Sequence, residues 1–184
     1  MCSVPLVFLG AFFGYKKEAV EYPTSTSNIP RQIPDQNWFM GGPFVMLVGG
    51  ILPFGALFVE LFLILSSMWL EQYYYVFGYL IIVWLILLVT SSEIAILFCY
   101  FQLCSENYNW WWRSFGVSGS VAGYVLLYSA MYFGRLRATS FAAYCLYFGY
   151  MGSLCVGLFL MTGTVGMLSC LWFNKLIFSS IKVD

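Results

Sequence analysis

No histidine occurs in the 184 residues, and charged residues make up only 9% of them. The missing imidazole removes the commonest general base, the commonest metal ligand and the side chain that titrates near neutral pH. The shortage of charge is as telling, since an ordinary soluble domain carries roughly 25%. Lys and Arg together number 8 and so do Asp and Glu, so there is no net basic field of the kind that holds nucleic acid. No P-loop, G-x-S-x-G, G-x-G-x-x-G before a soluble helix or H-E-x-x-H is present. Neither enzymatic activity nor a cofactor is expected, and nucleic acid is not an expected partner. The sequon N-x-S/T is absent as well, so glycosylation gives no guide to sidedness.

Apolar residues fill the space: 61% of the chain is hydrophobic and 21% aromatic. They come in long runs, and a helix crossing a hydrocarbon core about 30 Å thick needs about 20 apolar residues. The sequence therefore predicts an all-α, polytopic transmembrane helix bundle in a lipid bilayer. Residues 3–15 are a short run ending at Lys16-Lys17, and as helix they rise only about 20 Å. Positive charge follows this run rather than preceding it, which does not suit a signal peptide. Residues 1–15 read as the last part of a spanning helix whose start lies outside the chain.

Residues 16–42 turn polar, with Pro23, Pro30 and Pro34 favouring extended backbone, and read as a loop. From 43 to 174 the pattern predicts a four-span bundle, with spans at 44–68, 76–103, 115–133 and 141–173. Pro53 is expected to kink the first. The last is long for one crossing and reads as one long helix with a loosely structured or interfacial start, a re-entrant segment being the alternative. Trp69 and Tyr73 beside Glu71-Gln72, and Trp110 to Trp112 beside Arg113, match aromatic belts at headgroup level. Residues 175–184 read as a tail. With one crossing per run, Lys16, Lys17, Arg31, Arg113, Lys175 and Lys182 share one side, against Arg135 and Arg137 on the other. That bias assigns the loop 16–42 and the tail to the cytosol.

Of the 6 cysteines, Cys99, Cys145, Cys155 and Cys170 lie in apolar runs, where a thiol serves as a small hydrophobe. Cys99 and Cys104 lack histidine partners and a C-x-x-C companion, so no metal site is expected. Glu60 and Glu93 lie inside apolar runs, and intramembrane charge is a candidate for function by default. Counted from the turn near residue 71, their depths differ by roughly 16 Å, too far to share one ion. Each is expected to face the bundle interior, protonated or bonded to hydroxyls such as Thr90, Ser91 and Ser92 near Glu93. Gly10 and Gly14, and Gly119 and Gly123, stand at GxxxG spacing, and Gly149, Gly152, Gly157, Gly163 and Gly166 follow in the last span. Small residues let helices approach closely in lipid, so these glycines pack the bundle or form a face for helices of other proteins.

Several strings are distinctive in themselves: Ile29-Pro30-Arg31-Gln32-Ile33-Pro34, Gly50-Ile51-Leu52-Pro53-Phe54-Gly55, and Cys99-Tyr100-Phe101-Gln102-Leu103-Cys104-Ser105-Glu106. The last leads to Trp110-Trp111-Trp112-Arg113-Ser114-Phe115, and the chain closes on Lys182-Val183-Asp184. In this order they resemble the carboxy-terminal half of a nonaspanin, the transmembrane 9 superfamily, over nearly the whole chain. The resemblance implies that 1–15 is the end of the fifth of nine spans, that 141–173 is the ninth, and that the C terminus is cytosolic. It implies residence in Golgi and endosomal membranes. It also implies a part in adhesion and in the sorting and surface delivery of membrane proteins, including clients with glycine-rich transmembrane segments. The family's terminal Lys-x-Asp/Glu signal, read by the COPI coat, falls on Lys182 and Asp184. The expected function is thus non-enzymatic membrane trafficking, with client transmembrane helices and the COPI coat as partners. The rival is a transporter or channel component using Glu60 or Glu93.

Overall fold

Each apolar run becomes a helix, as it must where lipid offers the backbone no hydrogen-bond partner. The computed structural model describes residues 3–19, 28–29, 31–70, 73–134 and 141–180, with backbone alone at 3, 60, 61, 63–70, 73–77 and 79. Its helices are α1 (Ser3–Tyr15), α2 (Gly42–Leu70), α3 (Tyr73–Cys104), α4 (Trp111–Phe133) and α5 (Phe141–Ser180), with one 3-10 turn at Trp38–Met40. No strand occurs among the described residues. The chain divides into two units, Met1–Pro30 with Lys175–Asp184, and Arg31–Asn174. In the first, α1 is exposed along its length from Val4 to Tyr15.

In the second unit, pairwise contacts fix the helix directions. Along α2 and α4, Met46 lies on Gly116, Gly50 faces Ser120, Phe54 stacks on Tyr124 at 5.5 Å, and Phe58 meets Tyr128 at 5.2 Å. Both numbers rise together, so α2 and α4 are parallel. Against α3 the order reverses, Gly49 meeting Phe98 while Leu57 shares a core cluster with Leu87. Between α4 and α5 it reverses again, Phe133 packing on Tyr144 at 4.5 Å while Phe115 covers Gly163. The helices alternate in direction.

Three helical segments, Gly42–Val59, Leu80–Cys104 and Phe141–Ser180, are long and apolar enough to cross a membrane. α4, expected as a span over 115–133, is less apolar because it carries Ser114, Ser118, Ser120 and Ser129 among its glycines. It runs beside the spanning part of α2 and packs Ser114, Ser118, Ser129, Val117, Val121 and Val125 inward, while Leu126, Leu127 and Met131 form its exposed apolar side. Its hydroxyls are bonded: Ser114 to the Trp111 carbonyl, Ser118 to Ser114 and Ser120 to Val117.

Two boundaries differ from the sequence reading. α5 is one continuous helix of 40 residues, about 60 Å long, with neither a loose start nor a re-entrant break. It also runs to Ser180, past Asn174-Lys175 where a tail was expected, because no proline interrupts it. α2 likewise continues through Pro53, whose ring is buried and which leaves the Gly49 carbonyl without its helical donor.

One end of this unit is capped by the loop. Gln36 Nε2 donates to the Ser105 carbonyl at 3.0 Å, Arg113 donates to the Met40 carbonyl, and Arg31 pairs with Glu106 at 3.4 Å. α3 ends there in a Schellman turn: the Asn107 amide bonds the Gln102 carbonyl at 3.1 Å and the Glu106 amide bonds Leu103 at 3.0 Å. The Glu106 backbone takes φ 55°, a conformation usually left to glycine. Arg31 and Arg113 therefore share one end of the bundle, the one at which α3 ends and α4 begins. Arg135 and Arg137 lie outside the described residues.

Candidate functional site

The inner line of α3 is Leu87, Ser91, Ala95, Cys99 and Gln102, all buried. Ser91 faces inward, and two positions further on, roughly 200° round the helix, Glu93 faces outward. This corrects the expectation that Glu93 points into the bundle. Nor do neighbouring hydroxyls serve it: Thr90 donates to the Ile86 carbonyl, Ser91 to Leu88 and Ser92 to Val89. The outer line instead reads Ile86, Val89, Glu93, Leu97 and Tyr100, all exposed. Glu93 borders an open groove of about 530 Å³ shared with Ile96, Leu97, Tyr100, Phe101 and Phe173.

Glu60 lies on α2, with its side chain outside the described residues. The contacts of Gly49 with Phe98 and Leu57 with Leu87 put position 60 level with residues 84–87 of α3. That separates it in depth from Glu93 by roughly 9–14 Å. The structure does not bring the two positions together.

The glycines divide into two sets. Gly119, Gly163 and Gly166 are buried. A Cβ at Gly119 would meet the Phe159 ring at 2.7 Å, one at Gly163 would meet Phe115 at 2.6 Å, and one at Gly166 would collide with Ser118. Phe115 and Phe159 meet edge to face at 5.2 Å, each lying over the other helix's glycine. These glycines join α4 to α5 inside the bundle and are covered by its own side chains. Gly123 is exposed, with no atom within 4 Å of a Cβ placed there.

A second small-residue line joins two of the glycines of the last span through a serine. Gly149, Ser153 and Gly157 stand at i, i+4 and i+8 on α5 and are exposed, and a Cβ at either glycine would meet nothing within 4 Å. The Ser153 hydroxyl bonds the Tyr150 carbonyl at 2.9 Å, leaving a smooth face. The spacing was visible in the sequence. Counting serine as a small residue would have revealed it.

At one end of α3 and α5 the Cys99 thiol donates to Asn174 Oδ1 at 3.7 Å, and Cys99 and Cys170 share a buried cluster with Ala95 and Trp110. Cys99, Cys155 and Cys170 are buried and free, while Cys104 and Cys145 are free and exposed. Asn174 Nδ2 is buried without a hydrogen-bond partner among the described residues. No group of three His, Cys, Asp or Glu suited to a metal ion lies together among them. Lys182 and Asp184 lie outside the described residues.

The sequence profile of the Endomembrane protein 70 family matches residues 1–141. Transmembrane 9 superfamily member 9 of Arabidopsis thaliana is 56% identical over 183 residues, 99% of this chain. The human transmembrane 9 superfamily members 2 and 4 are 50% and 47% identical over the same 99%. The chain spans 28% of the length of each of these relatives. No solved structure matches it.

Proposed function

The chain belongs to the Endomembrane protein 70 family, whose relatives here are transmembrane 9 superfamily members, and from that premise we propose that it serves the sorting of other membrane proteins. On this reading it is a non-enzymatic, multi-pass protein of Golgi and endosomal membranes. Client transmembrane helices lie against it in the bilayer, and a cytosolic tail carrying Lys182 and Asp184 engages the COPI coat.

The observation that carries the reading is the exposed line Gly149, Ser153 and Gly157 on α5. In lipid no hydrophobic drive separates a helix from the surrounding tails, so association depends on close backbone approach. The glycines first expected to provide it, Gly119, Gly163 and Gly166, are already used within the bundle, and Gly123 remains as an open position on α4. The tail adds a cation and an acidic terminus, which a coat pocket can grip with charge-assisted hydrogen bonds. Transport through Glu60 and Glu93 is less well supported, because the two positions stand at different depths and Glu93 faces outward.

Two variants of the protein in its full-length context test the reading in cells. Gly149→Leu with Ser153→Leu and Gly157→Leu should leave the protein in the Golgi but mislocalise its clients. Lys182→Ala with Asp184→Ala should move the protein itself. Clients that sort normally beside the leucine variant refute the helix-holding face, and an unmoved alanine variant refutes the coat signal.

A further inference from the structure

Pro53 divides α2 into two lengths, 42–52 and 54–70. It has no amide hydrogen to give the Gly49 carbonyl, so the two lengths meet across a missing rung of the helix. The turn before it holds Gly49 and Gly50, whose backbone lies directly against α3 and α4. A Cβ at Gly49 would meet Val117 at 2.5 Å and Phe98 at 3.3 Å, and one at Gly50 would meet Ser120 and Tyr124. Before Pro53, α2 is held firmly: Arg113 donates to the Met40 carbonyl, Val45 is buried, and Met46 lies on Gly116. After it, residues 54–59 meet α4 through rings, Phe54 on Tyr124 and Phe58 on Tyr128. No hydrogen bond joins 54–59 to another helix among the described residues. Tyr124 bridges the break. Its ring stacks on Phe54 at 5.5 Å, after the proline, and its hydroxyl donates to the Leu47 carbonyl at 2.7 Å, before it. All of these contacts join helices of this chain to one another.

We propose that Pro53 is a hinge in α2 and that Tyr124 is its latch. Hinges are places where a few residues absorb a change in φ and ψ while the packed elements on either side stay rigid. With Gly49 and Gly50 seated against α3 and α4, the length 42–52 is the fixed side. The length 54–70 tilts about the missing hydrogen bond. Tilting parts Phe54 and Phe58 from Tyr124 and Tyr128, and the Tyr124 ring cannot follow Phe54 without drawing its hydroxyl from Leu47. The latched state is therefore favoured by one hydrogen bond between helices and two ring contacts, each a modest contribution. That balance leaves an unlatched state within thermal reach. A static kink, with Tyr124 only filling space, would hold the two lengths at one angle.

The test places pairs of spin labels in the full-length protein in lipid nanodiscs and reads their separations by double electron–electron resonance. One pair, at Val59 and Leu154, reports on the length after Pro53, and the other, at Val48 and Leu168, on the length before it. All four side chains are exposed and none makes the contacts above. Tyr124→Phe removes the hydroxyl and keeps the ring. The Val59–Leu154 pair should then show a second distance, its population about threefold to eighteenfold above that in the unaltered protein, the range for losing one polar contact between membrane helices. Pro53→Ala returns an amide to the Gly49 carbonyl and should remove the second distance, also when combined with Tyr124→Phe. The Val48–Leu168 pair should keep one distance throughout. A single Val59–Leu154 distance in both the unaltered protein and Tyr124→Phe overturns the hinge, as does a second distance that survives Pro53→Ala. A Val48–Leu168 pair that shifts together with the other overturns it too, since α2 then moves as a whole. If Pro53→Ala does not fold, the two pairs in Tyr124→Phe decide the matter alone.

Discussion

A methyl group at Gly163 probes the ring-over-glycine contacts that join α4 to α5. The added Cβ would lie 2.6 Å from Phe115 Cε2 and 2.8 Å from Cδ2 and Cζ. Carbons at ordinary contact stand about 3.5–4.0 Å apart, so the ring must withdraw by about 1 Å. Its retreat is opposed, because Phe115 meets Phe159 edge to face at 5.2 Å and Phe159 in turn lies over Gly119. Overpacking of this kind costs about 1–3 kcal/mol. Alanine also recovers about 1 kcal/mol of helix propensity, so Gly163→Ala alone should lose only about 0–2 kcal/mol. Gly123→Ala supplies the control: it sits on α4 with nothing within 4 Å, and gains propensity without a clash. The difference between the two variants, about 1–3 kcal/mol, isolates the steric part. Unfolding by SDS in mixed micelles, followed by helical circular dichroism, measures both. Adding Phe115→Leu to Gly163→Ala should recover most of the loss. Agreement of the two alanine variants within about 0.5 kcal/mol, the spread of neutral substitutions, would refute the reasoning.

The same unfolding assay checks two further substitutions. Tyr147→Phe removes a hydroxyl that donates to the Ser129 carbonyl at 3.0 Å and accepts from Ser129 Oγ at 3.2 Å, but keeps the ring against Phe133 at 4.9 Å. It should cost about 0.6 kcal/mol and at most about 1.7, the range for polar contacts between membrane helices; no change means the bond is not made in the bilayer. Glu106→Gly should stabilise the chain, since relief of a left-handed φ of 55° is worth about 1–2 kcal/mol. The exposed pair with Arg31 at 3.4 Å that it gives up is worth about 0–1 kcal/mol. A destabilised Glu106→Gly would show that the Arg31 pair outweighs the backbone.

The two small-residue lines show where the sequence reading ran out. Both were visible as spacing, yet Gly119, Gly163 and Gly166 proved to be interior while Gly149, Ser153 and Gly157 proved to be outside. Nothing in the spacing separates them. What does is the presence of Phe159, Phe115 and Ser118 opposite the first set, and no spacing rule within one helix can foresee a partner on another. The buried group of Cys99, Cys170 and Asn174 was equally hidden: each residue read as an ordinary member of an apolar run, and only the parallel course of α3 and α5 brings them together.

By itself the sequence determined that the chain is helical and membrane-embedded and, except at the end of α5, where its helices begin and end to within a few residues. These follow from the cost of placing backbone or charge in hydrocarbon, a cost paid residue by residue and so readable locally. Only the tertiary structure decided which way each helix faces. In a soluble helix the polar face marks the outside, but lipid is as apolar as the bundle interior, so α3 and α5 carry apolar residues all round and give no such sign. Their rotation is set by which rings and small residues fit together across helices, and that fit turned Glu93 outward and drew Gly119, Gly163 and Gly166 inside while leaving Gly123, Gly149 and Gly157 outside.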